Sequence, residues 1–136
     1  MLTLTPKTTK KRRTNVSTRS NIIIKDKSWH CILYRHCDGY PEGAGVELRD
    51  LLAKETFYTG EDLATHLIQT RERMEYPPNE YFPYELAQEI QTDIEYLYVI
   101  DIQARTVECY STFGICDEDM KLEIIAQPDN LVEIPT

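Results

Sequence analysis

Two stretches of β-branched and aromatic residues, one near the front of the chain and one toward its end, set the terms on which it can fold. Ile22, Ile23 and Ile24 are followed by the turn signal Lys25-Asp26-Lys27-Ser28. In the next run Trp29, Cys31 and Leu33 alternate with His30, Ile32, Tyr34 and His36. Residues that alternate this way place one set on each side of an extended strand, so the segment predicts a β-hairpin. The run Ile94 to Ile102, a turn at Gln103 to Arg105, and Thr106 to Tyr110 predict a second hairpin.

Between the hairpins the period changes. A helix is expected from about Ala44 to Lys54, with Val46, Leu48, Leu51 and Leu52 inward. Thr59-Gly60-Glu61-Asp62 reads as a capped start for a second helix, with Leu63, Leu67 and Ile68 on its buried face. Tyr76-Pro77-Pro78 breaks the pattern. Pro83 then suits the first turn of a third helix, whose stripe would be Leu86, Ala87 and Ile90. The order is β-β-α-α-α-β-β, to which a short terminal strand around Leu122 to Ala126 would add a fifth strand. The expected class is α+β, an antiparallel sheet of four to five strands with helices packed on one face.

A chain of 136 residues is one domain by size and needs neither disulfide nor metal to fold. No apolar run approaches the ~20 residues of a membrane span, and the basic N-terminus has no hydrophobic segment behind it, so a cytoplasmic protein without a membrane partner is expected. Cys31, Cys37, Cys109 and Cys116 form no CxxC pair and read as reduced thiols. Charge is divided sharply: residues 1–27 hold eight Lys or Arg against Asp26, while the remainder holds seven basic and 22 acidic side chains. The first 20 residues, with Lys10, Lys11, Arg12 and Arg13 at their centre and no apolar periodicity, are expected to be a disordered basic tail. Residues 21–136 form the domain.

Chemically capable side chains crowd Tyr34-Arg35-His36-Cys37-Asp38-Gly39-Tyr40-Pro41-Glu42-Gly43. His36 and Asp38, two apart, would share a face and provide the minimum for a general base. Cys37 points the other way, and His30 lies about 20 Å along an extended strand from His36, too far to share a metal. No catalytic residue and no cofactor is therefore assigned. The competing readings are a turn, with Asp38 and Gly39 supplying the backbone angles and Arg35 paired to Glu42 or Glu47, and a binding block. In the second, Tyr34, Arg35, His36, Asp38 and Tyr40 would hold a nucleotide through charge-assisted donors and aromatic faces.

The same block, preceded by Thr18-Arg19-Ser20-Asn21-Ile22, resembles a family of small uncharacterised proteins of phages and prophages. A Tyr-x-His-x-Asp-Gly-Tyr-Pro signature there follows an N-terminal strand, and Ile94 to Asp101 looks like the family's closing hairpin. The resemblance implies a bacterial host cell and brings no catalytic residues. The leading expectation is a non-enzymatic host-interaction protein, an inhibitor of bacterial defence of the anti-CRISPR type. Its acidic surface, with Glu72, Glu75, Glu80, Glu85, Glu89, Asp93 and Glu95, would meet a basic host protein or nucleoprotein complex. The alternatives are a sponge for a nucleotide signal and a phage accessory protein without a defence role; a homo-oligomer is left open.

Overall fold

The computed structural model describes residues 18–70, 72–74, 79–81 and 83–136, with side chains described outside 71–82. Strand β1 (Ser20–Asp26) and strand β2 (Trp29–Arg35) form the first hairpin, closed by Lys27 and Ser28 with Lys27 at φ 58°. Helices α1 (Val46–Lys54) and α2 (Gly60–Gln69) follow. Next come β3 (Glu72–Met74) and β4 (Asn79–Tyr81), then β5 (Tyr84–Ala87). The second hairpin is β6 (Tyr96–Asp101) and β7 (Thr106–Ser111), followed by a single helical turn, α3 (Leu122–Ile125), and a two-residue strand, β8 (Leu131–Val132).

The class is α+β, but the main sheet has six strands in the order β5-β2-β1-β6-β7-β8, and β3 and β4 pair separately. One pairing in the main sheet departs from the antiparallel rule. β1 runs parallel to β6, with Ile23 beside Val99, so the two hairpins join side by side. A parallel pair needs a crossover far longer than a tight turn, and here that connection carries both α1 and α2.

Two expected elements are corrected. The segment expected as a third helix is edge strand β5, with Tyr84 opposite Arg35 and Leu86 opposite Leu33. Pro83 therefore precedes a strand, where its fixed φ and missing donor are equally acceptable. The stretch expected as a terminal strand at 122–126 contains the helical turn α3, since Leu122, Ile125 and Ala126 recur at helical spacing and pack together on the sheet. The strand that completes the sheet is β8.

Each face of the sheet has its own core. On one, Ile22, Ile24, Leu33, Tyr98, Ile100 and Cys109 meet Leu48 and Leu52 of α1 and Leu63 and Leu67 of α2. On the other, Ile23, Leu97, Val99 and Tyr110 lie under Met120 and Ile125. The two longer helices thus share one face, as expected, while the short C-terminal turn serves the other. Buried Asn21 ties the second face to the connection after β5: its Nδ2 donates to the Leu33 carbonyl and its Oδ1 accepts from the Gln91 amide. The fold begins before Asn21, because Ser20 is fully buried in β1 and Gly39 donates to the Thr18 carbonyl. Residues 1–17, with the Lys10-Lys11-Arg12-Arg13 cluster, lie outside the described residues.

The N-terminus of α2 is pinned to the first hairpin. Thr59 caps it by accepting from the Asp62 amide, and the Gly60 N–H donates to Asp26 Oδ2 at 2.8 Å. Gly60 lies so close to the Trp29 ring that a Cβ there would approach it to 2.5 Å. The Gly60 amide, together with a bond from Gln103, holds the Asp26 carboxyl below its ordinary value of 3.8. A depressed folded-state value contributes stability that is complete above the unfolded value and is lost as pH falls through the folded one. Asp26→Asn should therefore melt lower than the native chain at neutral pH, and the difference should narrow on acidification below pH 3.8 in a pH series of thermal melts.

Candidate functional site

The block after β2 is a strand-to-helix corner, and its chemistry follows from which way each side chain leaves the strand. Arg35 shares the face of Trp29, Cys31 and Leu33, so it enters the core side of the sheet with a side chain only 3% exposed. Its Nη1 donates to Glu47 Oε2 at 2.9 Å and to the Tyr84 hydroxyl at 2.8 Å, and its Nε donates to the Cys37 carbonyl at 2.7 Å. Tyr84 completes a triangle by donating to the same Glu47 oxygen at 2.6 Å. The guanidinium carbon stands 5.0 Å from the Tyr84 ring centroid, within cation–π range. Burial works against the charge on Arg35, yet Tyr84 and Glu47 hold it protonated, while burial drives the Tyr84 phenol far above its ordinary range.

Beyond Arg35 the chain turns on Asp38 and Gly39, and the roles differ from those expected. Asp38 takes the left-handed backbone, at φ 57°, which a short polar side chain tolerates. Gly39 is needed for close approach instead: a Cβ would sit 2.8 Å from the Thr18 carbonyl oxygen. Its own carbonyl accepts from the buried Tyr98 hydroxyl at 2.7 Å. Tyr40 is extended before Pro41, and the Val46 amide reaches the Pro41 carbonyl five residues back, a wide turn that feeds α1.

His36 and Asp38 each contact a different tyrosine. The Tyr34 hydroxyl meets His36 Nδ1 at 3.1 Å, and the Tyr40 hydroxyl donates to Asp38 Oδ1 at 3.2 Å. Burial, and then the nearby Asp93 carboxylate, raise the Tyr34 phenol above its ordinary range. Of the five block residues, Tyr34, His36, Asp38 and Tyr40 stay at the surface or partly so, and Arg35 is withdrawn. Burial pushes the Cys31 thiol to about 11 and the Cys109 thiol to about 12, and no disulfide joins the four cysteines. Among the described residues no three His, Cys, Asp or Glu gather to hold a metal, and no helix is long and apolar enough to cross a membrane.

The acidic residues fall on a strand and a connection, where helices were expected. Glu85 stands on β5 opposite Tyr34, and Glu89, Asp93 and Glu95 follow in the connection to β6, all exposed. Arg19 braces that connection, with Nε 3.5 Å from Asp93 and its amide donating to Glu95. Glu72 and Glu80 belong to β3 and β4, with side chains outside those described, and Glu75 lies outside the described residues. One surface residue escaped the sequence reading. Phe113, 94% exposed, is held out by a tight turn in which its amide donates to Ser111 Oγ and Gly114 takes φ 82°. Phe113 and Tyr40 border the same hollow. The signal was an aromatic residue immediately before a turn glycine.

No protein-family model, curated protein or solved structure matches the chain. The block must therefore be judged by its geometry, in which Arg35 locks β2, α1 and β5 together. Arg35→Ala removes the buried guanidinium's bonds to Glu47, to the Tyr84 hydroxyl and to the Cys37 carbonyl and should cost about 2 to 4 kcal/mol in urea denaturation. A ligand-facing arginine would leave the midpoint unchanged.

Proposed function

We propose that the chain is a non-enzymatic host-interaction protein whose acidic body docks on a Lys/Arg-rich surface of a protein or nucleoprotein complex. Inhibition of a bacterial defence system in the host cytoplasm is the setting that the resemblance of its Tyr34–Tyr40 block implies. One observation carries the docking reading. All four arginines with described side chains are turned onto their own chain: Arg19 to Asp93, Arg35 to Glu47, Arg49 to the Ile134 and Pro135 carbonyls, and Arg105 to the Leu52 carbonyl. Much of the cationic charge thus serves the fold, while Glu85, Glu89, Asp93 and Glu95 face solvent. Such an excess steers basic partners and repels nucleic acid over a Debye length of roughly 8 to 10 Å. Phe113 and Tyr40 add the exposed aromatic surface from which interface anchors are drawn.

The nucleotide reading loses its main support, because the guanidinium that would hold a phosphate is committed to Glu47 and Tyr84. The test uses tagged protein in a bacterial host with an active defence system. Native chain should lower defence in a plasmid-interference assay and retain one of the system's proteins on affinity resin, with retention falling as salt rises from about 0.05 to 0.5 M. Glu85→Lys/Glu89→Lys should abolish both effects without changing the melting temperature. Retention indifferent to salt and to the reversals would overturn the proposal.

A further inference from the structure

The second face of the sheet is incompletely covered, and what lines the gap differs in character from the rest of the body. On the first hairpin Ile23 stands directly opposite Ile32, and the next pair on the same face toward the turn is Lys25 opposite His30. Ile90, from the connection after β5, Leu122, from α3, and Trp29, at the start of β2, supply the remaining apolar lining of a cleft of about 300 Å³. Lys27 and Ser28 of the turn complete its edge, and no carboxylate is among its lining residues.

The neighbouring acids Asp26 and Asp101 do not line the cleft, although Lys27 lies within electrostatic reach of Asp26 and Lys25 is paired in register with Asp101. Asp26 accepts from the Gly60 amide and from Gln103, one on each oxygen, and Asp101, beside Lys25 on β6, accepts from the Ala104 amide. An apolar floor bordered by two ammonium groups, an imidazole and a hydroxyl is therefore set into a body that is otherwise strongly acidic. That combination selects by sign as well as by hydrophobicity: the floor takes an apolar body, and the edge takes one negative head.

We infer that this cleft binds a small amphiphilic anion, a short aliphatic or aromatic body bearing a carboxylate or sulfonate. The site borders the acidic docking surface, since Ile90 follows Glu89 in one connection, but its test reverses the two lysines and leaves the glutamates in place, so either reading can fail alone. Octanoate, octanol and octylamine share one apolar body and differ in head charge, and titration calorimetry of the full chain with each is the test. Octanoate should bind with one-to-one stoichiometry, at least about tenfold tighter than octanol or octylamine, and Lys25→Glu/Lys27→Glu should reverse that preference. Lys25 and Lys27 are exposed, so the double variant should keep its melting temperature; if it does not, Lys25→Gln alone, still expected to weaken octanoate several-fold, replaces it. Equal binding of all three compounds, absence of octanoate binding, or binding to phosphatidylglycerol vesicles in place of free octanoate would overturn the inference.

Discussion

The parallel pairing of β1 with β6 is the constraint on which the rest of the structure depends. It puts β1 at the centre of the sheet, with β2 on one side and β6 on the other, and buries both strands on both faces. Ile22, Ile23 and Ile24 are each at most 3% exposed, and the same continuity holds through Leu97, Tyr98, Val99 and Ile100. A strand covered on two sides needs consecutive apolar residues where a half-exposed strand needs alternation. Strand β2, nearer the edge, is the one that alternates. Because parallel neighbours cannot be joined by a short turn, the chain between the hairpins is long enough to supply the helices that cover one face. The opposite face is left to the C-terminal segment, which covers it only in part.

Much of this was legible in the residues, and what was missed has identifiable causes. The hairpin turns, the Thr59 cap and the buried stripes of α1 and α2 depend on local chemistry, and they were found. The parallel pairing could have been read from the two uninterrupted apolar runs, but a run of that kind invites the simpler reading of two separate hairpins. Leu86, Ala87 and Ile90 imitate a helical stripe, yet the segment pairs with β2 and leaves Leu86 largely exposed. Its conformation is decided by a neighbour distant in sequence. The opposite error at 122–126 has the same origin, since a short apolar run carries too little periodicity to choose between turn and strand.

The Tyr34–Tyr40 block shows how residue type can mislead where strand direction does not. Arg35 has the chemistry of a phosphate ligand, but its parity with Leu33 and Cys31 sends it inward, where a tyrosine and a glutamate complete its bonding. Four surface neighbours remain, arranged as two tyrosine-centred pairs. Charge follows the same logic across the body, with arginine used as a structural donor to carbonyls and carboxylates.

The contact between Trp29 and Gly60 has an optical consequence. Trp29 is the one tryptophan in the chain, and its ring lies where the first hairpin receives the start of α2. An indole packed against the start of α2 reports the docking of that helix by its emission. The chain thus carries its own probe at the seam between its sheet and its helical layer, and the intrinsic fluorescence of the unlabelled protein reads that seam directly.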